Sequence, residues 1–208
     1  MYARALVVRK RVLTGLLLAA LFGVAAGLFK GNEIGLRAEI GNLSAPWLLV
    51  AFLPALSAGS VARGAATGLA STLLALLGFY AALTGILMDH LGEGGYPRYF
   101  VVEIGANRIY LLAGLVTGPL FGALGAWVGK RFRRNVWLIV GSLIAGEIAV
   151  VALAQGHELL PAPLYFEWSV DDWAAYVAEF ALGASIVLAT LCLRHGPAAL
   201  RSVRMRRS

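Results

Sequence analysis

Two glutamates stand where a carboxylate is costly to place. Glu147 lies near the middle of an apolar run over 136–155, and Glu179 lies about two turns into another over 173–193. Ionisable groups at such depth face a bundle interior or a water-filled cavity, because lipid cannot replace the water they lose. Either carboxyl is therefore a candidate proton carrier or ligand contact. Asp172, Tyr176, Glu179 and Gly183 follow i, i+4, i+7, i+11 spacing, so one helix face carries all four. Asn107, Arg108 and Tyr110 begin the apolar run over 106–129. Arg108 is the candidate partner for Glu179, or for the nearby Glu103. The sharp reading gathers Glu147, Glu179, Arg108, Tyr176, Asp172 and Asn107 into a polar pocket between the last three apolar segments. The plain reading makes the glutamates hydrogen-bonding glue between helices.

These residues need elements to hold them, and composition says which kind. Of 208 residues, 60% are hydrophobic and only 14% charged, where a soluble domain is nearer a quarter charged. Six apolar segments, at 12–29, 45–62, 64–88, 106–129, 136–155 and 173–193, are each near the ~20 residues a spanning helix needs. What remains is loops and tails, so the whole chain, 1–208, reads as one all-α membrane domain: a six-helix transmembrane bundle. Arg63 separates the second and third segments, a tight hairpin. Ser44-Ala45-Pro46 predicts a serine cap with proline in the first turn. Pro54 and Pro119 predict kinks.

Lys and Arg fix the expected orientation. With six spans, one side holds the N-terminus, Arg63, the 130–135 loop and the C-terminal tail. That side has fourteen of the 18 basic residues and no carboxylate. The other side has Lys30, Arg37, Arg98 and Arg108 against nine carboxylates. The basic side is expected in the cytoplasm, with both termini, and the membrane is the plasma (inner) membrane of a bacterium. The pocket then faces outward. The net charge of +7 is explained by topology, without a nucleic-acid partner. Arg9-Lys10-Arg11 before an apolar run, with Ala25-Ala26-Gly27 near its end, has the outline of a signal peptide; the reading kept is an uncleaved first span.

Small residues mark helix contacts. Gly64, Gly68, Ser71, Ala75, Gly78, Ala82 and Gly85 are spaced alternately by four and three, one continuous face. Gly114, Gly118 and Gly122 form a second stripe, and Gly15, Ala19, Gly23 and Gly27 a third. In lipid such stripes let backbones approach closely. Leu21-Phe22-Gly23 is echoed by Leu120-Phe121-Gly122, which an inverted repeat of two three-helix halves would explain. The loops over 89–105 and 156–172 carry Tyr96, Tyr99, Phe100, Tyr165, Phe166 and Trp168, suited to the membrane interface. Lys130-Arg131-Phe132-Arg133-Arg134 and the tail arginines suit anionic lipid headgroups.

Several chemistries find no support. Cys192 is the single cysteine, which excludes an intrachain disulfide and a cysteine-based zinc cluster. Asp89-His90, His157-Glu158 and Asp171-Asp172 lack any diagnostic metal spacing, and no pattern calls for a cofactor. Gly125 to Arg131 imitates a phosphate loop but lacks its Ser/Thr and its glycine spacing. No catalytic pair is recognisable, so an intramembrane enzyme is the least favoured class.

Ala45-Pro46-Trp47, Ala51-Phe52-Leu53, Gly78-Phe79-Tyr80, Gly118-Pro119-Leu120-Phe121-Gly122, Gly125-Ala126-Trp127, Gly146-Glu147 and Ala178-Glu179 give the chain a likeness. It resembles a family of small six-helix bacterial membrane proteins, common in actinobacteria, whose activity is unassigned. The family pattern has paired tyrosines where this chain has Phe79-Tyr80. The likeness implies an intact six-helix fold and no substrate. More loosely, the chain is similar to the substrate-binding membrane subunits of energy-coupling-factor transporters, in which Gly15, Ala19 and Gly23 would dock a partner. Two readings follow. One is small-solute binding or transport through the outward-facing pocket, in which Glu147→Gln alters ligand retention or proton coupling with folding intact. The other is a non-catalytic scaffold or partner subunit, docking a protein or a second copy through small-residue faces.

Overall fold

Lipid offers a peptide group no hydrogen bond, so a chain this apolar must satisfy its backbone within helices. The computed structural model describes residues 2–31, 35–91, 95–154 and 173–205, and these are helical almost throughout. Eight α-helices follow in order: α1 (Tyr2–Lys30), α2 (Leu36–Asn42), α3 (Ser44–Ala55), α4 (Val61–Leu91), α5 (Tyr96–Ala106), α6 (Arg108–Arg131), α7 (Val136–Ala154) and α8 (Ala174–Met205), with a 3-10 turn at Arg133–Asn135. Six stretches are long and apolar enough to cross a membrane: Lys10–Lys30, Leu36–Ala55, Val61–Met88, Arg108–Arg131, Arg133–Leu153 and Ala174–Arg194. Exposed leucines such as Leu17, Leu21, Leu120 and Leu188 cover their outer faces, as lipid-facing helices require.

Four features differ from the sequence reading. The second span begins at Leu36 rather than near 45, so Glu39, expected in a loop, lies inside it and is buried. The hairpin turn occupies 56–60, with Gly59 at φ 75°, and Arg63 belongs to the first turn of α4. Pro54 stands one residue before the end of α3 and helps terminate that helix rather than kink it. The expected loop over 89–105 contains α5, with Pro97 in its first turn. Its hydrophobic residues Val101 and Val102 are exposed, as an interfacial helix requires.

α4 is the axis of the bundle, packed against α1 on one side and α6 on another, with α3 leaning on α4 and α6. Glycine makes both crossings possible. A Cβ on Gly68 would lie 2.3 Å from the Gly118 carbonyl oxygen, and one on Gly122 would lie 2.3 Å from that of Gly64. Farther along the same stripe, where α1 crosses, a Cβ on Gly78 would meet the Ala20 carbonyl at 2.5 Å. Gly64 and Gly114 are likewise filled by Ala126 and by Leu76. Gly85, at the end of that stripe, has open space beside it. Phe22, Trp47, Phe79 and Tyr80 form an edge-to-face ladder across α1, α3 and α4, with successive centroids 5.1, 5.5 and 5.8 Å apart.

α7 and α8 form a separate hairpin. They pack mainly on each other, and reach the rest through α3 against α7 and α2 against α8. An inverted repeat would give α6 and α8 an interface matching that of α1 with α4. Among the described residues they share no comparable interface, so the tripeptide echo is not carried into the packing.

Candidate functional site

The second span is a broken helix, and its sequence explains the break. In a continuous helix the Pro46 ring would collide with the Asn42 carbonyl one turn back and supply no N–H to it. The chain stops at Asn42, takes Leu43 out of helical geometry (φ −52°, ψ 126°), and restarts at Ser44. A helix start leaves unpaired N–H groups and a partial positive charge. Ser44 was expected to cap this end with its own hydroxyl, but no side chain of the α3 terminus does so. Glu147 of α7 caps it instead. One carboxylate oxygen accepts the Ser44 N–H and the other the Ala45 N–H, each at 2.5 Å. Two amides and the positive pole of α3 compensate the Glu147 charge in the bundle interior.

Glu179 is the neighbouring carboxyl. Like Glu147 it is only 6% exposed, and no protein N–H or hydroxyl reaches its oxygens, whose polar neighbour is the Glu147 carboxyl itself. Gly141 and Gly183 bring the two acids together. A Cβ on Gly183 would stand 2.5 Å from the Ala145 nitrogen, and one on Gly141 2.8 Å from the Gly183 carbonyl oxygen. One turn before Glu179, the Tyr176 hydroxyl donates to Glu39 Oε2 at 3.3 Å. Glu39, missed as a site residue because it was placed in a loop, is thus the third buried acid of the seam. Its signal was the weakly apolar Leu36–Asn42 stretch, which reads as a helix only once joined to the run after Pro46.

By helix rise, Glu147 and Glu179 lie about 8–9 Å inside the near ends of their spans, and Ser44 about 12 Å inside its own. All three therefore meet at similar depth. The meeting point is the seam between the main bundle and the α7–α8 hairpin.

Tyr176, Glu179 and Gly183 share the buried face of α8, while Asp172 lies outside the described residues. Asn107 and Arg108 belong elsewhere. Asn107 breaks the chain between α5 and α6; its side-chain amide donates to the Glu103 carbonyl at 3.0 Å and to Glu103 Oε2 at 3.2 Å. Its own carbonyl accepts the Tyr80 hydroxyl at 3.0 Å. Arg108 is exposed at the head of α6 and forms no ion pair with Glu179 or Glu103 among the described residues. The third wall of the polar seam is thus the broken second span rather than the fourth. One cation at this end of the bundle is Lys30, whose ammonium stands 5.7 Å from the Phe79 ring centre and 5.6 Å from that of Tyr110, with Glu103 and Glu39 as its charged neighbours.

The side chains of Asp89, His90, His157, Glu158 and Asp171 lie outside the described residues. Among the described residues no three His, Cys, Asp or Glu cluster closely enough for a metal ion. The small-residue face of α1 is occupied within the chain: a Cβ on Gly15 would strike Pro54, and one on Gly23 the Ala75 backbone. Ala19 is buried beside them.

The arrangement can exchange a proton. Glu179 offers a buried carboxyl that no protein donor satisfies, Glu147 a neighbouring carboxyl bound to two amides, and Tyr176 with Glu39 a polar connection toward the end of the bundle. Six spanning helices with acids gathered at a broken one define a multi-pass membrane protein with a polar interior seam. Comparison with models of protein families, with curated proteins and with solved structures finds no match.

Proposed function

We propose that the protein binds and carries a small solute across the plasma membrane, with proton exchange at the Glu147–Glu179 pair. The observation that carries this reading is Glu179: a carboxyl buried at the seam of two helix groups, met by no protein donor and set against a second carboxyl, is costly to retain. A broken span supports it as well, since irregular backbone within a membrane occurs where it is buried in protein or lines a cavity. The seam faces the acidic end of the bundle. By the distribution of Lys and Arg that end is the outer one, with both termini cytoplasmic. The likeness to a bacterial six-helix family fits this setting and adds no substrate.

The test uses purified protein in proteoliposomes enclosing a pH-sensitive dye. Pools of amino acids, organic acids, sugars and vitamins are added outside in turn. The expected result is a solute-dependent proton flux that Glu179→Gln abolishes while the variant remains folded. Unaltered solute-driven flux in both Glu147→Gln and Glu179→Gln removes the reading.

A further inference from the structure

The carboxyl seam leaves unexplained a concavity on the other side of α3. A groove of about 620 Å³ runs between α1 and α3. Lys10 and Arg11 stand at one end of it, and Leu18, Phe22, Val50 and Leu53 line its length. It opens sideways: Leu18 is 58% exposed and Leu53 40%. Lys10 and Arg11 are exposed at the start of the first span.

We propose that this groove is a binding site for one phospholipid with an anionic headgroup. Lys10 and Arg11 hold the phosphate, and an acyl chain lies along the α1–α3 cleft. Length supports this occupant. Lys10 to Phe22 covers twelve residues of helix, about 18 Å, and one leaflet contributes about 15 Å of hydrocarbon. The groove thus runs from a headgroup level to the membrane midplane and stops there, which fits one lipid of one leaflet. Charge supports the headgroup: the groove has two cations at its mouth and no carboxylate in its lining. The α3 wall runs from Pro46 to Ser57, so the bound lipid touches the helix whose start Glu147 caps. The site is independent of the solute reading and stands or falls apart from it.

The experiment is native mass spectrometry of the delipidated protein in detergent, titrated with phosphatidylglycerol or phosphatidylcholine of the same acyl chains. Two cations near a headgroup give an expected preference for phosphatidylglycerol of about 30-fold. The double variant K10Q/R11Q reduces that preference to about threefold or less, while K130Q/R131Q leaves it in place. Leu18→Trp, which fills an exposed part of the groove without touching the helix crossings, lowers retention of both lipids. Equal retention of the two lipids by the wild type overturns the proposal. So does a preference lost in K130Q/R131Q rather than K10Q/R11Q, or retention unchanged by Leu18→Trp.

Discussion

Glu147 and Glu179 are equally buried neighbours, yet their replacement by glutamine has opposite expected consequences. Glu147 gives one oxygen to each of two amides. Glutamine has a single oxygen, so its NH2 group must face either the Ser44 or the Ala45 N–H. A buried donor left unsatisfied costs about 1–3 kcal/mol. Loss of the charge opposite the α3 terminus adds up to about 2 kcal/mol in a buried setting. Glu147→Gln is therefore expected to destabilise the protein by about 2–4 kcal/mol, contrary to the sequence-based expectation that folding stays intact. Glu179 receives no bond from a protein donor, and glutamine keeps an amide N–H that can still reach the Glu147 carboxyl beside it. Glu179→Gln is expected to lie within about 1 kcal/mol of the wild type, on either side. Reversible unfolding in mixed micelles with rising dodecyl sulfate, followed by far-UV circular dichroism, measures both. A Glu147→Gln variant as stable as wild type beside a destabilised Glu179→Gln refutes the assignment of roles. Glu179 then carries structural weight and the argument for proton exchange loses its basis.

Glycine substitutions should divide by position. Gly68→Ala forces the α4 and α6 backbones apart and is expected to cost about 1–3 kcal/mol, whereas Gly85→Ala meets nothing within 4 Å and is expected to stabilise by about 0.5–1 kcal/mol; the same unfolding assay compares them. Pro46→Ala restores an N–H and removes the ring clash, so α2 and α3 should join; hydrogen exchange at residues 43–46 slows if they do, and unchanged exchange rejects proline as the cause of the break. Tyr176→Phe removes the hydroxyl bonded to Glu39 and is expected to slow solute-driven proton uptake in proteoliposomes while costing about 1 kcal/mol of stability. Ser60→Cys in a Cys192→Ser background places a thiol in the exposed 56–60 turn; an impermeant maleimide should label it from the cytoplasmic side only, and labelling of intact cells reverses the orientation.

The seam also gives the carrier reading a mechanical form. α7 and α8 are held to the rest of the bundle at the short α2 and at α3, and the Glu147 cap is part of that attachment. A carboxylate that leaves its two amides loosens the hairpin from the main body. Under the proposed function, proton uptake at the pair would act on this attachment.

By itself the sequence determined the six spans, the packing role of Gly64, Gly68, Gly78, Gly114, Gly118 and Gly122, and the depth of Glu147 and Glu179. Those follow from local quantities: apolar run length, residue size at helical spacing, and the cost of a charge in lipid. Tertiary structure alone decided which helices share the acids. Glu147 caps α3 from more than a hundred residues away, and no periodicity in either segment announces that pairing. Arg108 is opposite to Glu179 in charge and close in expected level, but it stands exposed at the head of α6, and α6 and α8 share no extended interface among the described residues. Glu39 was hidden for a related reason. Its helix is one half of a span interrupted at Leu43, and a run shorter than a membrane crossing reads as loop until its other half is found. What lay beyond the sequence was the order in which the helices meet, which each chain segment leaves free and only their mutual packing selects.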